Sequence, residues 1–402
     1  MSSTGSMVAR MRALPGRAFP GLDEYLWNRG RDREAADLVS RGGYALDLAD
    51  LEVADPVSGR PSHVVVIPMD GPNNGSWKPA GGNFFYEIAQ AAREYAGVDT
   101  VSVFAVEGHE PSAQWHQRLI RHLIETGATH VIAQVESDPN TPSSWTWDVL
   151  WDQLSRRWDG VMLGVVFDSA FQWVTNHTRR IARISPRFLL VDICMPMDGV
   201  MIKGRPEVGP VNMPVSNQSL AALDEYTAGM GKLYDVSFIG TLYPYRVDMI
   251  EALEARGVRV AVNPHRTDVT HDFAESRANQ PTYCDYMAGL FQSEMTINFA
   301  QSSAGDFQQL KTRVLEACAM GCLVLTDDVD RTDRFWIMGE EYGYFETPRD
   351  VPALVESWLG DPARLARAQN AARERAREIN VSSFWGGIDE GLRRRRLKGI
   401  LA

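Results

Sequence analysis

Apolar residues in this chain fall into two series of short continuous runs, separated by stretches with helical spacing. The first clear run is residues 63–68, HVVVIP, apolar at consecutive positions rather than at alternate ones. A strand that is apolar on both faces must be covered on both faces, as a central strand of a parallel sheet is. Runs at 100–106, 130–134, 160–167 and 187–193 read as further strands. Between them the apolar spacing changes to three and four. Phe85, Ile88, Ala89 and Ala92 share one face of a helix predicted over 83–95, and 112–126 reads as a second helix. This alternation predicts a parallel sheet with right-handed crossovers.

Residues 203–231 break the alternation with Pro, Gly, Asn and Ser, and read as a connection containing a short helix. A second series follows, with strands at 235–239, 258–262, 295–299 and 322–326 and helices at 245–256, 283–292 and 311–320. The helix 311–320 should stop at Gly321, a residue suited to a left-handed cap. Residues 351–379 form an Ala/Arg/Glu-rich helical tail. The expected organisation is an N-terminal extension with short helices (1–60), a Rossmann-like domain (61–215) and a second Rossmann-like domain (232–380). Two such domains leave a cleft between their strand ends, where open α/β sheets bind ligands.

The length of 402 residues suits two domains, and 44% hydrophobic with 23% charged residues is a globular composition. A formal net charge of -11 argues against duplex nucleic acid as a partner, while allowing a local basic pocket for one small anion. No apolar run approaches the roughly 18–20 residues that span a bilayer. Residues 1–20 have small residues and Arg but no apolar core, so no signal peptide and a cytoplasmic location are expected. Cys194, Cys284, Cys318 and Cys322 form no CxxC pair and read as small buried apolar residues, with metal or redox use as the alternative. His271 and Asp272 lack further metal ligands, so no metal is expected.

Three blocks carry more specific information. Ser237-Phe238-Ile239-Gly240 is followed by Arg246. Residues 311–321 read R-x-x-E-A-x-x-x-G from Arg313 through Glu316 to Gly321, with Lys311 just before. Gly343-Tyr344-Phe345 precedes an apolar helix and Asp361-Pro362. The N-terminal half adds strand, loop, Gly81-Gly82 and amphipathic helix. On these residues the chain resembles retaining GT-B glycosyltransferases of the group-one type, especially the branch related to spore-maturation glycosyltransferases.

The resemblance implies an α/β GT-B fold, with two Rossmann-like domains facing each other across a cleft. It implies a nucleotide-diphosphate-sugar donor, UDP- or GDP-linked, in the C-terminal half, and a small-molecule, glycan or other acceptor in the N-terminal half. No cofactor beyond that co-substrate and no metal are implied. Residues 381–402, with Phe384, Trp385, Ile388 and Leu392, would form a helix returning to the first domain.

The chemistry explains these residue types. Breaking a glycosyl–phosphate bond releases a polyanion and builds oxocarbenium character on the sugar, so fixed positive charge and N–H dipoles must surround the pyrophosphate. Arg246 stands where the family places a phosphate-binding lysine. Lys311 and Arg313 sit at a predicted helix start, with the Arg fork suited to bidentate phosphate contact. Gly240 and Gly81-Gly82 would let backbone approach phosphate without a Cβ in the way. In the resembling family the glutamate at position 316 accepts hydrogen bonds from ribose hydroxyls.

Two positions depart from the family pattern. Gln308 replaces a carboxylate that contacts the donor sugar, and Thr241 replaces an arginine. They keep open a catalytically silent sugar-nucleotide-binding protein, while a nucleotide-sugar epimerase or hydrolase on the same fold, using the same phosphate site, is a second enzymatic alternative.

Other residues have two readings each. Arg313 and Glu316 could be a surface ion pair, Arg246 an ordinary first-turn residue, and Gly81-Gly82 a plain loop. Asp168, at the end of the strand 160–167, is a catalytic candidate or a helix cap. His109 is an acceptor-side base or a solvated loop residue. Trp145, Trp147, Trp151 and Trp158 either stack on an acceptor or pack in the core. The run Arg393–Arg396 is a weak membrane-surface contact or a solvated helix end. The oligomeric state is left open.

Overall fold

The computed structural model describes residues 22–40, 44–51, 61–68, 75–106, 110–135, 147–167, 172–193, 208–240, 242–262, 282–301, 308–328 and 331–395. Two five-stranded parallel sheets organise the chain. The first contains β1 (His63–Ile67), β2 (Thr100–Val103), β3 (His130–Gln134), β4 (Val161–Val166) and β5 (Phe188–Asp192), in the order β2-β1-β3-β4-β5. The second contains β6 (Tyr234–Phe238), β7 (Val260–Val262), β8 (Ser293–Asn298), β9 (Leu323–Thr326) and β10 (Tyr342–Tyr344), in the order β10-β9-β8-β6-β7.

The continuous apolar run of β1 has the cause expected of it. Val65 and Ile67 join a core with Trp115, Leu119 and Trp151 on one face, while Val64 and Val66 join Phe85, Ile88 and Trp385 on the other. Successive side chains leave a strand on opposite sides, so a strand covered twice must be apolar throughout. Trp151 and Trp158 are buried in the first of these cores, and the Trp158 indole N–H donates to the Ala128 carbonyl at 3.0 Å. Packing is therefore the role of those two tryptophans. Trp145 lies outside the described residues, as does the side chain of Trp147. The helix Leu22–Ser40 docks on the first domain through Asp148, which accepts from Arg31 at 3.0 Å and from Arg180 at 2.8 Å.

The last helix, Ser382–Arg394, lies on the first sheet, where Phe384, Trp385, Ile388 and Leu392 are fully buried. Close approach depends on glycine: a Cβ at Gly391 would stand 2.2 Å from a Val208 methyl, and one at Gly387 2.7 Å from a Val211 methyl. Of the terminal arginines, Arg393 pairs with Asp389 and Glu390, Arg394 with Glu390, and Arg395 donates to the Phe188 carbonyl. Cys318 and Cys322 are buried in the second domain's core and Cys284 is partly buried against it, while Cys194 lies outside the described residues.

The two halves meet through the loop 75–83 and the helices Phe84–Glu94 and Asn217–Tyr226. Ala80, held at a φ of 52°, donates its N–H to Ser219 Oγ at 2.8 Å. Its carbonyl accepts from Cys284 Sγ at 3.5 Å. Asn380 ties its amide to both backbone groups of Val215, at the crossover between the halves. In the second sheet the chain reverses direction at β6, which has β7 on one side and β8 on the other. The carboxyl ends of β6 and β8 thus border the crevice where such sheets take ligands.

Candidate functional site: the interdomain cleft

A cavity of about 440 Å³ opens at these strand ends. The second domain supplies most of its wall, through Phe238, Ile239 and Gly240 after β6, Phe299 and Gln301 after β8, and residues 309 and 311–313. The first domain contributes Phe84, at the start of its helix, and Phe167, at the end of β4. These two rings stack at 5.3 Å with an interplanar angle of 27°, and Phe84 is 42% exposed.

Arg246 enters the cavity from the first turn of the helix Pro244–Glu254 and is only 9% exposed. Its guanidinium carbon lies 4.7 Å from the Tyr243 ring centre, 4.9 Å from Phe299, 5.3 Å from Tyr245 and 5.5 Å from Phe238. Nε donates to the Tyr245 hydroxyl at 2.9 Å. An arginine held among ring faces keeps its planar fork in a fixed orientation, which suits it to an oxyanion. Gly240 faces it with a φ of +143°, a backbone geometry that side-chain-bearing residues rarely adopt.

Opposite, Lys311 and Arg313 reach the same space. Lys311 Nζ donates to Gln309 Oε1 at 2.7 Å. Glu316 stands one layer behind, 6% exposed and absent from the cavity wall. Its carboxylate accepts from the Tyr286 hydroxyl at 2.7 Å and from the Tyr283 hydroxyl at 3.0 Å. Burial pushes its pKa above the ordinary value, while the two tyrosines and Arg313 pull it back. The surface ion-pair reading of Arg313 and Glu316 therefore does not hold. Tyr286, which lines the cavity, presents the ring that Glu316 anchors.

The structure brings Gly240, Arg246, Lys311 and Arg313 together on one cavity. It does not bring Gln308 there: the Gln308 amide turns away and donates to the Asp327 carbonyl at 3.1 Å, while Gln309 lines the wall. Gly81-Gly82 serves the joint between domains. A Cβ at Gly81 would strike the Ser76 carbonyl oxygen at 2.2 Å, and one at Gly82, where φ is +77°, would crowd Tyr283 at 3.0 Å. Asp168, His109 and Thr241 lie outside the described residues, as do His271 and Asp272. Among the described residues no cluster of three His, Cys, Asp or Glu side chains is placed to hold a metal, and no helix is long and apolar enough to cross a membrane. Sequence reasoning missed Phe84, Phe167, Tyr243, Tyr286 and Gln309. Only Phe84 carried a signal, since it directly follows the Gly-Gly-Asn turn into a helix.

Comparison with known proteins fits this geometry. Residues 246–381, about a third of the chain, match the family model described as glycosyl transferase-like. No curated protein sequence matches the chain. An α-glucosyltransferase solved with UDP and a 13-mer DNA containing a HMU base is similar in fold, at 10% identity over 84% of this chain and 100% of that one, with a TM-score of 0.52. HepE of Anabaena in complex with UDP-glucose is similar at 12% identity over 83% of this chain and 99% of that one, TM-score 0.47. Sucrose-phosphate synthase of Thermosynechococcus elongatus is similar at 11% identity over 83% and 98%, TM-score 0.45. The chain has the GT-B fold, and the stretch that supplies most of the cavity wall matches the glycosyl transferase-like family model.

Proposed function

We propose that the protein transfers a sugar from a nucleoside-diphosphate donor, held by the C-terminal domain, to an acceptor bound on the N-terminal side of the cleft. The observation that carries this reading is the charge of the cavity wall. Arg246, Lys311 and Arg313 line it, no carboxylate does among the described residues, and the chain as a whole is at -11. Concentrating fixed cations in one pocket of an acidic protein is costly unless an anion occupies it. Such cations stabilise a departing diphosphate as the glycosyl bond breaks. The stacked Phe84 and Phe167 offer the acceptor side an apolar platform.

We favour retention, with the departing phosphate taking the acceptor's proton on the same face, as the resemblance of the sequence blocks to retaining glycosyltransferases implies. The test is a thermal-shift screen with UDP, GDP, ADP, CMP and dTDP, followed by product analysis with the matching sugar donors. A ligand specific for the native state raises the melting temperature by mass action. A new glycoside with the donor's anomeric configuration is expected. An inverted product would overturn retention and assign the general base to Asp168 or His109. Donor isomerised or consumed without an acceptor points to an epimerase or hydrolase, and binding without turnover to a binding protein. Because the cations are built into the wall, donor binding is expected to survive EDTA. Loss of binding and turnover in the chelator would contradict that.

A further inference from the structure

We infer that Gln309 is a ligand-reading residue of the cleft, whose side-chain N–H groups donate to an oxygen of the donor's diphosphate. The inference rests on the nucleotide-donor reading above and adds a residue that the sequence blocks did not single out.

Gln309 is 2% exposed, yet it forms part of the cavity wall. Its backbone is fixed, since its N–H donates to the Ala300 carbonyl at 2.9 Å, and Ala300 in turn donates to Asp327 Oδ1 at 2.7 Å. The amide's orientation follows from chemistry. Lys311 Nζ lies 2.7 Å from one amide atom, and an ammonium has no acceptor, so that atom must be Oε1. Nε2 is therefore the other end, and it is buried with no hydrogen-bond partner among the described residues. Two N–H groups removed from water and left unmade are a standing cost, removed only when something in the cavity accepts from them.

The surrounding groups narrow the acceptor's identity. Arg313, on the same wall, also has a buried Nε without a partner. An amide nitrogen and a guanidinium only donate, so Gln309 Nε2 and Arg313 Nε call for acceptor oxygens close to one another, beside the positive charge of Lys311. A diphosphate supplies them. A ribose or a pyranose hydroxyl brings a proton of its own for each oxygen and satisfies such a row less completely. Lys311 thus has two tasks, as a cation and as the group that turns the Gln309 amide so that its N–H groups face the cavity.

Gln309→Glu tests this directly. It keeps an oxygen for Lys311 and replaces the cavity-facing N–H groups with a second oxygen of the same size. Titration calorimetry on the full chain should show the affinity for UDP or GDP, whichever the wild type binds, falling by at least about tenfold. Gln309→Met, which removes the donor without adding charge, should lose affinity in the same direction by a smaller factor. It carries the test if the glutamate variant melts early. Unchanged nucleoside-diphosphate affinity in both folded variants would overturn the inference. So would a loss confined to the sugar-linked donor with free UDP or GDP unaffected, because the amide would then face the sugar. A wild type that binds none of UDP, GDP, ADP, CMP and dTDP overturns the nucleotide-donor reading itself, a result distinct from the other two.

Discussion

A carboxylate as buried as Glu316 stays compatible with the fold only when its surroundings donate to it, and here Tyr283 takes one oxygen and Tyr286 the other. Glu316→Ala would strand both hydroxyls in a buried site. It is therefore expected to lower unfolding stability, by about 1–3 kcal/mol for each orphaned group, as well as to loosen Tyr286 at the cavity. Denaturant unfolding checks this, and an unchanged midpoint would mean that the tyrosines find other partners. The sequence placed Lys311, Arg313 and Glu316 in one block, and the structure keeps them adjacent because a short helix carries Arg313 and Glu316 and Lys311 stands just before its cap. What could not be read was which side chains face the ligand. Gln308 pairs with Gln301 as a β-bridge, so the chain is extended there and neighbouring side chains point opposite ways. Identical residues at 308 and 309 thus received opposite positions, and no property of glutamine distinguishes them. The aromatic cage of Arg246 was equally hidden. Its rings come from β6, the turn into a helix and the end of β8, which only the folded sheet brings together.

Strands and helices were legible wherever one physical demand set the pattern. Two-sided burial made β1 a continuous apolar run, and one-sided burial gave the helix Phe84–Glu94 its three-and-four spacing. Where several demands compete, the ends shift. The helix expected from residue 311 begins at Arg313, because Lys311 is still engaged with Gln309 and Thr312 forms the cap position. The terminal helix shows how a weak helix former can be the right residue. Gly391 lowers helix propensity relative to alanine, yet the contact with Val208 leaves no room for a methyl. Gly391→Ala should therefore destabilise the protein by about 1–3 kcal/mol through overpacking, although the same change in an exposed helix would stabilise it. Thermal or denaturant unfolding reads the sign. A more stable Gly391→Ala would show that the helix rides on the sheet more loosely than this contact requires.

The joint between the halves has a titratable centre. Glu87, on the helix Phe84–Glu94, accepts from the Ser216 N–H at 2.7 Å and from the Ser219 hydroxyl at 2.6 Å, and is 3% exposed. Burial raises its pKa from 4.5 to about 7, against the pull of the two serines and with added repulsion from Glu94. Glu94 itself accepts from Asn217 N–H, and Tyr283, whose own ionisation Glu87 opposes, stands on the far side of the joint. Between 4.5 and about 7 the folded protein keeps a proton at Glu87 that the unfolded chain has released. Its contribution to stability is therefore complete below the lower value and fades as pH rises through the upper one, by a total on the order of 3 kcal/mol. Three buried histidines slope the other way. Burial holds His116 and His130 at about 3 and His177 at about 4, so folding gains from them as pH climbs toward 6.5. The two effects overlap in the wild-type profile, and Glu87→Gln separates them because it leaves the histidines in place. Melting temperatures of wild type and variant should be measured together from about pH 5 to about pH 8. The wild type is expected to lose ground steadily to Glu87→Gln across that range, with most of the change complete just above neutrality. Parallel profiles would mean that Glu87 does not titrate in the joint, and that the serines hold it ionised throughout.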